Sequence, residues 1–291
     1  MRPNHPFPCA SHQSTAARVR TYIDTLVNVS AQAGAPVVSV ILFGSAAAGG
    51  FSDPVSDVDL IVVLDDDATP AMRRRLSEDI VRLERAHGLR PASAAADDSG
   101  IRRRIERAVG HGFSGFVCTR SDLISGDVAR VLSLSPLEKP FVDRIVFASI
   151  IASAATVSGE DLLPNVPVLP VRRLDVLIAL FGLSNQVVLS ALVFPVLHDA
   201  TRYAMGALKH SLHSCYFCYH GRTAALGEEV AFFSRRMRAT RTLLDLLALR
   251  GEYRHSFGFV MRTLATVVRL HVRTALDNQF PIAVVRDCQP G

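Results

Sequence analysis

Two carboxylates stand two positions apart at the head of an apolar run, Asp57-Val58-Asp59-Leu60-Ile61-Val62-Val63-Leu64. On an extended strand, residues i and i+2 leave the same face, so Asp57 and Asp59 point together while Val58 and Leu60 turn into the core. Two such charges repel, and burying them without a counter-charge is costly. A hard divalent cation relieves the repulsion, and magnesium takes carboxylate oxygens together with phosphate and water. Upstream, the apolar run Val37 to Phe43 stops at Gly44-Ser45, with eleven residues between Ser45 and Asp57. Glycine lets another group approach the backbone closely. Ser45 adds a hydroxyl and an N–H, and the small residues Ala46 to Gly50 read as a helical turn behind them, which together make a phosphate cradle. The chemistry suggested is the handling of a metal-bound polyphosphate.

The elements that must hold these groups are legible around them. Ser14 to about Gln32 has Val19, Tyr22, Ile23, Leu26 and Val27 at helical spacing. Val37–Phe43 and Asp57–Leu64 are continuous β-branched runs, hence buried strands. Pro70 opens a helix to about His87, and Gly88 stops it. Residues 89–97 read as a strand, 101–109 as a helix and 113–119 as a third strand. Beyond about Ser121 helical periodicity dominates, with helices expected over 138–157, 171–197, 199–219, 227–249 and 252–276 and a linker at Pro164, Pro167 and Pro170. The expected fold is α+β: a small mixed sheet flanked by helices over 1–130, then a helical bundle over 131–291.

The strand, Gly44-Ser45, and Asp57-x-Asp59 on the next strand resemble the signature of the DNA polymerase β-like nucleotidyltransferases, over roughly residues 37–64. That resemblance implies transfer of a nucleotidyl group from a nucleoside triphosphate, ATP above all, to an acceptor hydroxyl with release of pyrophosphate. It implies Mg2+ held by Asp57 and Asp59 as catalytic and metal-binding residues, and nucleotide held by Gly44 and Ser45. The stretch 158–168 and the helix around Tyr203–His220, ending at Gly221-Arg222, are similar to the helical half of two-domain antibiotic (aminoglycoside-type) nucleotidyltransferases. On that likeness Lys209 and Arg222 would reach the phosphates. The family also carries a third acid, expected near the start of strand 113–119. Ser114 and Gly115 stand there, and Asp97, Asp98 and Asp122 are the substitutes; Asp122 with Ser121 also reads as a helix cap.

Composition narrows the acceptor little. The chain of 291 residues has a net charge of +5 and a pI near 9.2, a mild preference for polyanions, with its basic residues scattered. Residues 131–291 hold 17 basic and 12 acidic side chains, not the acidic half that a polycationic acceptor would favour. The leading expectation is a small-molecule hydroxyl acceptor. The alternatives are adenylylation of a protein or RNA partner, as in a toxin–antitoxin pair, and a degenerate nucleotide-binding module without turnover.

The remaining features read as structural. Cys215 and Cys218 with His210, His213 and His220 lie on an apolar helix face and read as buried thiols rather than zinc ligands. Arg102–Arg104 and Arg235, Arg236 and Arg238 read as solvated helix faces. The uncharged run 176–197 reads as a buried bundle helix rather than a membrane span. Five cysteines without framework spacing, and no apolar leader over Met1–Ala10, point to a cytoplasmic location.

Overall fold

The computed structural model describes residues 15–44, 58–89, 115–132, 144–167, 170–237 and 240–277. Four strands form one sheet: β1 (Val37–Phe43), β2 (Asp59–Leu64), β3 (Gly115–Thr119) and β4 (Ala155–Gly159), in the order β3-β2-β1-β4. β1 pairs antiparallel with β2 and β4, and β2 pairs parallel with β3, so the sheet is mixed. The α+β class expected from the sequence is the class observed.

The two central strands are mostly apolar because both sheet faces are covered; the exceptions are Ser39 in β1 and Asp59 at the head of β2. On one face Leu60, Val62 and Leu64 pack with Tyr22, Ile23 and Leu26 of α1 (Thr15–Gln32) and with Leu76 and Ile80 of α2 (Pro70–Ala86). On the other, Ile41, Phe43, Ile61 and Val63 pack with Leu123 of α3 (Arg120–Ile124), Val128 and Val131 of α4 (Val128–Val131), and Phe147 and Ile151 of α5 (Arg144–Ser153). The helix starting at Pro70 is delimited as its residues require. The Thr69 side chain accepts from Met72 N–H at 3.3 Å, and Gly88 takes φ +64° just beyond the last turn.

The second half is helical: α6 (Arg173–Val193), α7 (Ala200–His220), α8 (Leu226–Arg236), α9 (Thr240–Gly251) and α10 (Phe257–Leu276). Their shared core runs from Leu183 and Val187 through Leu208 and Leu212 to Leu246, Val260 and Leu270. α5 joins the halves: Phe147 and Ile151 face the sheet, while Ile145 and Ala148 face Val176 of α6 and Phe217 of α7.

Five expectations are corrected. The helix expected over 138–157 is described from Arg144 and ends at Ser153, followed by β4. This strand lies beyond the division expected at residue 130, yet it is hydrogen-bonded to β1, so the sheet is completed from past that point. The helix expected over 227–249 is two helices, because Met237 turns extended at φ −126°, ψ 144°. The run 176–197 is buried on one face only: Val176, Ala179, Leu183 and Val187 are inside, while Leu177, Phe181 and Leu192 are outside. Arg236 is not a solvated cation; its guanidinium lies 4.7 Å over the Tyr219 ring and 4.6 Å over Phe232. Arg235 is exposed as expected. The elements expected at 46–50 and 101–109, all but Leu89 of the strand at 89–97, and Arg102–Arg104 and Arg238 lie outside the described residues.

Candidate nucleotide and metal site

The last residue of β1 and the first of β2 face each other: Phe43 pairs with Asp59. In an antiparallel ladder, directly opposed residues leave the same face, so Asp59 shares a face with Phe43. Ile61 lies two residues along that face, and the Phe43 ring stacks on Phe116 of β3 at 6.1 Å. Asp59 is half-buried at the rim of this apolar floor.

Gly44 follows Phe43 and therefore lies against Asp59. It takes φ +70°, a left-handed conformation that favours glycine. A Cβ at this position would overlap Asp59 Oδ2 and stand 3.3 Å from Asp59 Cγ. Glycine is thus required twice, by the backbone angle and by the carboxylate pressed against it. The bend and the acid expected to share one site are in contact.

The topology gathers more at this end of the sheet. β1 ends here, while β2, β3 and β4 all begin here, since Leu60 pairs with Gly115 and Leu42 with Ala155. Asp57 and Ser45, the other halves of the expected metal pair and phosphate cradle, lie outside the described residues. Val58, which separates the two acids, is 1 % exposed and points inward as expected.

The third acid expected at the start of β3 is not at Gly115, where a Cβ would come within 2.9 Å of Ile80 Cγ2. Ser114, Asp97 and Asp98 lie outside the described residues. Asp122 is excluded by position. It lies beyond Thr119, and Thr119 pairs with Leu64 at the far end of β2 from Asp59. Six residues of strand at about 3.3 Å each separate the two ends. There Asp122 accepts from Thr119 N–H and pairs with Arg73 at 3.2 Å. The cap itself is Thr119, not Ser121 as expected, and Asp122 completes the capping box. Asp66, at the same far end, accepts from Ser121 N–H at 2.8 Å, and this bond holds its carboxyl below the usual range.

Lys209 lies within α7, and Arg222 just past its end, where Gly221 takes φ 62°. Arg222 donates to Glu228 at 2.9 Å and to the Tyr216 phenol oxygen at 3.2 Å. The phenol in turn donates to Glu228 at 2.6 Å, and burial together with that bond pushes its pKa up to about 12. These partners went unread in the sequence; the signal for them is Gly221, whose left-handed turn folds Arg222 back onto the helix it follows. Cys215 and Cys218 are buried and in no disulfide, and among the described residues no group of three His, Cys, Asp or Glu is placed to hold a metal ion. His213 is instead bonded to Glu229 at 2.6 Å.

Residues 23–108 match the family model of the nucleotidyltransferase domain. This segment is a nucleotidyltransferase domain. It contains β1, Gly44, Asp57, Asp59 and β2, so the family match and the observed contact fall on the same residues. In fold the chain is similar to the spectinomycin adenyltransferase of Enterococcus faecialis, solved with ATP and spectinomycin. The TM-score is 0.53 at 11 % identity, covering 89 % of this chain and 97 % of that one. Comparison with curated protein sequences gives no significant match. The resemblance to two-domain antibiotic nucleotidyltransferases thus extends through the helical half as a likeness of fold. Nucleotidyl transfer is the chemistry of such a domain.

Proposed function

We propose that this chain transfers AMP from ATP to the hydroxyl of a small-molecule acceptor, with Gly44 and Ser45 holding the triphosphate and Asp57 and Asp59 the magnesium. The observation that carries this reading is the contact of the Gly44 backbone with the Asp59 carboxylate at the mouth of the sheet. A hard carboxylate oxygen donor at a half-buried rim, beside a glycine that carries no side chain, fits a magnesium–triphosphate complex. When bound, the ion supplies charge neutralisation on the phosphates and on the departing pyrophosphate. The protein's own part is positional. The rigid β1–β2 ladder fixes the carboxylate, and the bend fixes the phosphates so that the acceptor oxygen meets the α-phosphorus in line. The helical half supplies the acceptor surface, with the solved adenyltransferase and its antibiotic as the precedent in fold. Lys209 and Arg222 remain part of the proposal as phosphate ligands; Arg222 would have to exchange Glu228 for phosphate. A cytoplasmic setting provides ATP and keeps Cys118, Cys215 and Cys218 reduced.

One observation favours a second reading, nucleotide binding without turnover. Gly115 is packed against Ile80 where the third acid was expected, and Asp122 is committed elsewhere. The two readings separate on one experiment: the protein is incubated with magnesium, α-labelled ATP and a panel of hydroxyl-bearing small molecules, proteins and RNA. The proposal expects label on a small molecule together with pyrophosphate, and loss of both in Asp59→Asn. Label on protein or RNA, or binding without pyrophosphate release, would replace it.

A further inference from the structure

α6 and α10 run antiparallel as neighbours. Arg173 at the start of α6 reaches the Asp277 carbonyl beyond the end of α10, at 3.5 Å. At the opposite end, Phe194 after α6 lies 5.1 Å from the Phe257 ring that opens α10. Both helices leave apolar side chains in solvent. On α6 these include Leu174 (63 % exposed), Leu177, Phe181 and Leu192 (72 %); on α10 they include Met261, Val268, Val272 and Leu276 (71 %).

The two stripes adjoin. Arg262 on α10 pairs with Asp245 of α9 at 2.9 Å, which sets the flank of α10 that faces α9. Met261, Val268 and Val272 lie about one residue's rotation, 100°, to the other side of Arg262, Arg269 and Arg273, towards α6. The arginines therefore border the apolar face on the α9 side. From Val176 to its end at Val193 α6 carries no charged residue.

One residue at the middle of α6 is unusual for an apolar face. Asn185 is an exposed amide within about 20° of Leu174 and Leu192 around the helix. A single amide in an apolar seam sets register.

We propose that the α6–α10 face joins two copies of this chain, with the α6 helices crossing at Asn185 on a two-fold axis. Two helices of about 20 residues, at 1.5 Å rise and about 10 Å spacing, present about 600 Å² per copy. Doubled, this reaches the lower end of stable interfaces, about 1,200 Å². A face without charge suits a copy of itself, since a two-fold contact sets each residue near its own mate. An acidic or basic partner would find no complement there.

The test is sedimentation equilibrium of the full chain across about 1–50 μM, the range in which a micromolar dimer dissociates. A dimer of twice 31.6 kDa is expected. Leu177→Glu with Leu192→Glu should weaken it at least about 100-fold, equivalent to the burial of unpaired carboxylates. Both positions are exposed, and an unchanged circular-dichroism melting curve shows that the variant is folded. Asn185→Cys should cross-link two copies under oxidation, whereas Glu252→Cys should show only the wild-type background, because a disulfide needs Cα atoms within about 7 Å. A monomer throughout that range, a double variant that dimerises undiminished, or equal cross-linking at 185 and 252 would each overturn the proposal. A monomer that sediments with anionic vesicles would overturn it in favour of a lipid surface.

Discussion

Gly44 and Gly34 have nearly the same backbone angle, φ +70° and +74°, but different surroundings. A Cβ on Gly34 meets nothing within 4 Å, whereas one on Gly44 overlaps the Asp59 carboxylate. The pair therefore separates backbone strain from site geometry. Gly34→Ala should cost about 1 kcal/mol by unfolding and leave nucleotidyl transfer unchanged. Gly44→Ala should cost about 1–3 kcal/mol and lower transfer by about tenfold or more, because the carboxylate must move. Equal transfer rates in the two variants would detach Gly44 from the site. The acid and the bend were readable in the chain because each is anomalous where it stands. A carboxylate at the head of the run Leu60–Leu64 demands a partner, and a glycine ending the run Val37–Phe43 demands a special angle. Asp122 was ambiguous because capping acids and catalytic acids look alike in sequence; only the parallel pairing of β2 and β3 shows it to be at the wrong end.

At the scale of elements, legibility followed burial. β1 appears with the bounds expected, since a seven-residue β-branched run covered on both faces has no competing reading. β4 was hidden because it is a five-residue strand alternating between exposed and partly buried positions, separated from α5 by Ala154 alone. Its half-exposed alternation carries little apolar signal, and the strand is defined by pairing with β1. The break between α8 and α9 has neither proline nor glycine at Met237, so no local signal marks it. A polar contact between helices went equally unread. His271 of α10 is buried, with Nδ1 3.1 Å from Ser211 Oγ of α7 and 3.0 Å from the Val267 carbonyl, and with Nε2 unpartnered. Burial pushes its pKa down to about 4 from an ordinary value of 6.5. The unfolded imidazole therefore takes up its proton first as pH falls, and between pH 6.5 and about 4 the unfolded state binds more protons. Stability from this group is complete above pH 6.5 and declines through that window by up to about 3 kcal/mol. His271→Leu should flatten the dependence of unfolding free energy on pH between 7 and 4. An unchanged slope would show that His271 is not the group responsible.

For the molecule as a whole, the sheet and the bundle divide the work. The sheet brings the end of β1 and the starts of β2, β3 and β4 to one edge, where the nucleotidyltransferase domain holds its carboxylate and its glycine bend. α5 links that sheet to the helices through opposite faces, so the acceptor surface proposed for the bundle is tied to the site by a packed core. We place the division between the two parts after β4, within the segment 160–172 that leads to α6, because a boundary at residue 130 would part β4 from β1. The most direct measurement is calorimetric titration of ATP into the wild-type protein and Asp59→Asn, each with and without magnesium. Wild type should bind in a magnesium-dependent manner, and Asp59→Asn should bind at least about 100-fold more weakly, a difference of about 3 kcal/mol. Equal affinity in the two proteins, or binding indifferent to magnesium, would contradict the assignment of Asp59.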